Sequence, residues 1–140
     1  MALLDEVASY LDSQSTRFTV GASGNLVKSD MLDSATVPNT LTGLYETPGR
    51  SLVHAFSTSA TGITRVFERP NLQVLCRSTS YVTARTNAQT ALTILDGLNN
   101  TSLSGTRYIS VAALQSPYLL ARDEDQRYIV ALNFAVEKAL

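Results

Sequence analysis

The sequence holds one cysteine, one histidine and two lysines among its 140 residues. A lone Cys76 excludes an internal disulfide framework and any zinc site built from several cysteines. A lone His54 excludes paired-histidine metal motifs such as HExxH and leaves any histidine-dependent catalysis to one side chain. Charge is scarce as well, at 16% Asp, Glu, Lys and Arg, against about 25% in an average soluble domain. The 11 basic and 12 acidic residues nearly cancel, to a formal net charge of −1. That balance offers no electrostatic footprint for wrapping nucleic acid. Long hydrophobic runs are missing too. No stretch reaches the ~18 apolar residues of a membrane span. The start, Met1-Ala2-Leu3-Leu4-Asp5-Glu6, lacks the basic opening and continuous apolar centre of a secretory signal. Without such a signal the Asn99-Asn100-Thr101 and Asn100-Thr101-Ser102 triplets match the glycosylation pattern only formally. The expectation is a soluble, intracellular protein with no membrane partner.

What is present is a chain apolar enough to fold, at 44% hydrophobic residues. A chain of this length buries roughly two-thirds of its unfolded surface and forms one domain. Nothing in residues 1–140 reads as a linker or an internal repeat. Leu3, Leu4, Val7, Ala8 and Leu11 form one stripe, with Asp5 and Glu6 in the first turn, so residues 2–12 predict a helix. Residues 12–39 are mostly Ser, Thr, Gly and Asp, a loop with one or two short strands near 18–20 and 26–27. Residues 41–46 predict a strand closed by a Thr47-Pro48-Gly49 turn, and residues 50–62 a long loop. Strands at 63–68 and 72–77 meet at Arg69-Pro70-Asn71. A second helix spans about 80–98, and strands follow near 101–103, 106–114 and 128–136. The fold class is α+β: a mainly antiparallel sheet with two helices packed on it.

Two surfaces are poorer in charge than a solitary domain requires. Thr83, Thr86, Thr90 and Thr93 lie opposite the apolar stripe of the second helix, where a solvent face ordinarily carries Glu, Lys or Arg. Such a face suits an interface with another subunit, because long charged side chains are costly to desolvate there; a general bias of the chain towards Thr and Ser explains it equally well. The late strands are apolar on both faces: Ile129, Ala131 and Ala135 oppose Tyr128, Val130, Leu132, Phe134 and Val136. Either one helix covers each face, or one face packs on a neighbouring chain.

No set of residues forms a recognisable active site. His54 has Ser57 and Ser59 nearby, but a triad needs a third orienting group and an oxyanion hole. Cys76 alternates with the apolar Leu72 and Val74, as a buried small residue does. Gly21-Ala22-Ser23-Gly24 lacks a P-loop lysine. Asp123-Glu124-Asp125 lacks the spaced oxygen ligands of a calcium loop. No enzyme activity, cofactor or metal is expected.

An ordered series of short motifs carries a resemblance. Glu68-Arg69-Pro70 and Gln73-Val74 are followed by Tyr81-x-x-Ala84-Arg85 and Leu95-Asp96-Gly97-Leu98-Asn99. Then come Gly105-Thr106-Arg107-Tyr108, Gln115-Ser116-Pro117, Arg122-Asp123-Glu124 and Asn133-Phe134. Over about residues 63–137, and more weakly through Pro38-Asn39, Tyr45-Glu46 and Pro48-Gly49, this resembles the tail-terminator, or minor capsid, proteins of long-tailed bacteriophages. The resemblance implies a virion structural protein similar to the phage lambda tail terminator. It implies a homohexameric ring that caps the tail tube, joins the head-completion proteins of the neck, and lets genomic DNA pass its lumen without sequence-specific binding. Three regions are then expected to carry the role. The Thr face of the second helix, or the adjacent sheet edge, would meet a neighbouring subunit. The loop around Arg50, His54 and Phe56 would meet the tube or neck. The turn Asp123, Glu124 and Asp125 would line the lumen or lie on the ring's outside. Two other readings stand beside this one: another neck component such as a head-completion protein, and a small enzyme or ligand-binding domain using His54.

Overall fold

The computed structural model describes residues 2–21, 24–29, 38–56 and 63–139, with 53–56 and 63–66 described by their backbone alone. The elements run α1 (Leu3–Gln14), β1 (Leu26–Lys28), β2 (Leu41–Phe56), β3 (Ile63–Ser78), α2 (Tyr81–Leu95), β4 (Leu98–Leu103), β5 (Thr106–Ala113), β6 (Tyr118–Arg122) and β7 (Tyr128–Ala139). One seven-stranded sheet has the order β1-β2-β3-β7-β5-β4, with β6 also on β7. The class is α+β as the sequence predicts, but the sheet is mixed. β1 pairs with β2 in parallel, while the other pairs are antiparallel.

Both helices lie against one core. Leu3, Val7, Ala8 and Leu11 of α1 and Ala84, Ala88, Ala91 and Leu95 of α2 share a single cluster with Leu72, Val74, Cys76, Val130, Leu132, Phe134 and Val136. The arrangement with one helix on each face is therefore not the one adopted. On the opposite sheet face Ile129, Asn133 and Ala135 are half-buried and Ala131, beside β6, is buried. Alanines along α2 let its axis approach the sheet closely, and the helix starts where Ser80 Oγ accepts the Thr83 N–H at 3.4 Å. Just past its end, Gly97 takes a φ of +85°, a region that glycine enters at little cost.

The hairpin of β2 and β3 departs most from expectation. Thr47-Pro48-Gly49 does not end β2, and Arg69-Pro70-Asn71 does not divide β3; each strand runs 16 residues. The register slips between Thr47↔Asn71 and Arg50↔Arg69, so the turn signals mark a bulge instead. There the two backbones nearly touch: a Cβ on Gly49 would stand 2.0 Å from the Arg69 carbonyl oxygen. Residues 50–56 are thus strand and not loop; 57–62, the remainder of the expected loop, lie outside the described residues. The strand around β6 was not anticipated at all. Val20 forms an isolated bridge to Leu26, which accounts for the expected strand at 18–20.

Candidate functional site

Among the described residues, most exposed large apolar side chains lie around β6 and the start of α2. β6 is exposed at all five positions. It pairs with the first half of β7, from Arg122↔Tyr128 to Tyr118↔Ala131, while β5 takes the second half of the same edge. Leu119 and Leu120 are each 48% exposed, Leu114 55% and Val82, in the first turn of α2, 70%. Contacts tie the helix start to the strand. The Tyr81 ring meets Tyr128 edge-on at 5.9 Å, Arg122 stacks over Tyr128 at 4.4 Å, and the Arg85 guanidinium donates to the Pro117 carbonyl. Tyr118 and Leu119 point to opposite sheet faces, and on the face away from the helices Asn133 Nδ2 donates to the Tyr118 hydroxyl at 3.4 Å. A cluster of exposed apolar side chains on a strand edge has the character of a protein–protein contact.

The threonines of α2 are half-buried at 83, 86 and 90 and exposed at 93. Thr90 Oγ1 donates to the Thr86 carbonyl at 2.8 Å and Thr93 Oγ1 to the Gln89 carbonyl at 3.0 Å. Hydroxyls bonded into their own helix demand fewer partners from outside, so this face is less polar than its sequence suggests.

The acidic turn is built around a buried arginine. Asp123 Oδ1 accepts the backbone N–H groups of Asp125 (3.0 Å) and Arg127 (2.8 Å), and Oδ2 accepts Arg127 Nε at 2.7 Å. Arg127 Nη2 reaches Asp125 at 3.1 Å, and the Arg127 side chain is fully buried. Burial alone would raise the Asp123 pKa, but the N–H and guanidinium of Arg127 hold it below the usual carboxylate range. These oxygens are occupied by protein donors, and among the described residues no group of three or more His, Cys, Asp or Glu is placed to hold a metal ion. Arg50 forms an ion pair with Glu137 at 3.5 Å. The backbone of His54 lies in β2 opposite Arg65, and that of Phe56 opposite Ile63; the side chains of both fall outside the described residues. Among the described residues, the Thr face, Arg50 and the acidic turn do not share one pocket.

Cys76 is buried as expected, with Thr42 Oγ1 at 3.8 Å from its sulfur, and burial pushes its thiol pKa up to about 12. Among the described residues no helix is long and apolar enough to cross a membrane.

A buried polar group went unnoticed in the sequence. Glu6 Oε1 accepts Lys138 Nζ at 2.8 Å and the Tyr108 hydroxyl at 3.0 Å, with all three residues buried. The signal was periodicity: Glu6 lies on the α1 stripe between Leu3 and Val7, and Lys138 extends the alternation of Val130, Leu132, Phe134 and Val136. Glu6 lies in the first turn as expected, but its carboxylate turns into the core.

The chain matches no curated protein sequence. Six chains of known structure match its fold. One, from the structure described as "Virion of native gene transfer agent (GTA) particle", is 15% identical with a TM-score of 0.65, over 99% of this chain and 96% of that one. At that identity the likeness concerns the fold. Residues 20–139 match the family described as bacteriophage tail terminator protein, and so the chain belongs to the tail terminator family of phage structural proteins.

Proposed function

We propose that the chain forms a homohexameric ring on the head-proximal end of the phage tail tube. There it stops tube growth and presents the surface that joins the head-completion proteins of the neck. The family match over residues 20–139 supports this most directly, and the exposed apolar corner of β6 supplies the surface that assembly needs. A ring of this kind uses heterologous contacts, one patch meeting a different patch next door. The Thr face of α2, continuous with the β6 corner through Arg85 and Tyr81, takes part in the subunit contact. Arg50, His54 and Phe56 belong to the surface that meets tube or neck. The Asp123–Asp125 turn, which stays negative after Arg127 is counted, borders the lumen, where genomic DNA passes without being held. In this reading the protein is made and assembled in the host cytoplasm, becomes part of the virion, and acts without catalysis or cofactor.

Light scattering of the purified protein, alone and mixed with tail-tube protein, tests the ring. A species of six copies is expected in at least the mixture. A strictly monomeric protein under both conditions contradicts it.

A further inference from the structure

Among the described residues β1, β4 and β6 have an outer edge with no neighbouring strand, as does β2 beyond Leu44. Natural sheets blunt such edges with short length, polar side chains or bulges. β1 has only three residues. β4 exposes Asn99, Asn100 and Ser102, and Asn100, at a φ of +51°, interrupts its ladder. β6 is longer than β1 and reads Tyr118-Leu119-Leu120-Ala121-Arg122, with its one charge at the end. It too carries a register slip, between Leu119 and Ala121, but its side chains up to Arg122 are apolar.

A second feature is also incomplete. β1 pairs with β2 only at 42–44, and β7 pairs with β3 only from Phe67↔Ala139 onward. Among the described residues, 54–56 and 63–65 therefore pair only with each other, as a two-stranded ribbon leaving the sheet, while Arg50 and Val53 at its base lie opposite Arg69 and Phe67. Such a ribbon is marginally stable in water by itself. Ribbon and β6 occupy opposite corners. β6 flanks the beginning of β7 on the side away from β3, whereas the ribbon departs beyond the end of β7 on the β3 side. The 12 residues of β7 put roughly 35 Å between them at the usual rise of a strand. A chain cannot lay its own ribbon on its own β6.

We propose that the β2–β3 ribbon of one copy adds to the β6 edge of the next copy. The proposal rests on the ring reading above and names its contact. Main-chain hydrogen bonds would complete both edges, and Leu114, Leu119, Leu120 and Val82 would be covered. Opposite corners joined head to tail repeat the same contact around a closed ring.

Cysteines at the two patches test it. The Ser51→Cys/Leu119→Cys protein, assembled with tail-tube protein and treated with a short bis-maleimide, should give a covalent ladder from dimer to full ring. Either single variant should give none, and Cys76 is too buried to react. Assembly without a ladder overturns the ribbon–β6 contact and leaves the ring standing; no assembly of the wild-type chain overturns both. Leu120→Lys, with thermal melting unchanged, should lose assembly, and full assembly of that variant contradicts the proposal.

Discussion

Glu6 and Lys138 stand 132 positions apart in the chain and meet at 2.8 Å in its interior, fastening the first helix to the last strand. Glu68 approaches the same ammonium at 3.5 Å, and the Tyr108 hydroxyl shares the Glu6 oxygen. Because both charges are buried, each depends on the other. Lys138→Met should destabilise the protein by about 3–5 kcal/mol, since it strands the Glu6 carboxylate. The double variant Glu6→Leu/Lys138→Met should recover most of that loss. Urea unfolding of the three proteins measures it, and equal stability of single variant and wild type contradicts it.

The same carboxylate sets an acid limit on stability. Burial disfavours the charge on Glu6, but Lys138, Thr106 and Tyr108 outweigh it and hold the pKa below normal; Asp123 is likewise lowered by Arg127. Groups with depressed folded pKa values stabilise the protein fully above their unfolded values, about 4.3 for Glu and 3.9 for Asp. That contribution disappears as pH falls through the folded values. The urea midpoint should therefore hold from pH 7 to about 5 and fall below about 4, and Asp123→Asn should reduce the fall. A midpoint unchanged down to pH 3 contradicts this.

Gly49 sits where two strands cross too closely for any side chain. The obstructing atoms belong to the Arg69 and Pro70 backbone, which cannot rotate away. Gly49→Ala should cost about 1–3 kcal/mol or more, as an overpacked site does. Thermal melting should show a clear loss, and an unchanged melting temperature would mean that the bulge is not as drawn.

Cys76 should ignore thiol reagents in the folded protein. It is fully buried and its thiolate is strongly disfavoured. A chromogenic disulfide reagent should react with it only at the rate of unfolding, accelerated by urea. Rapid stoichiometric reaction in native buffer contradicts the packing described.

The helices and the core strands were legible because their periodicities are strong: the Leu3–Leu11 stripe, the Ala84–Leu95 stripe and the alternation through β7. Proline and glycine misled at 47–49 and 69–71. In an isolated sequence those residues signal turns, yet here they relieve two long strands at a bulge where lost ladder bonds cost little. β6 escaped notice because its exposed Leu119-Leu120 has no alternation to mark an edge strand. Glu6 was legible as a first-turn acid, but its pairing with Lys138 was not, since Lys138 lies two residues beyond the strand expected at 128–136. Of the surfaces proposed for assembly, the Thr face was visible as a shortage of charge. The β6 corner was not, since only pairing to β7 brings it beside Tyr81 and Val82.

Electron microscopy of particles from a phage lacking this gene addresses the tail-terminator role directly. The account predicts tails of abnormal length that remain unjoined to heads, restored by the gene in trans. Tails of normal length beside heads that leak DNA would contradict it and assign the protein to another part of the neck.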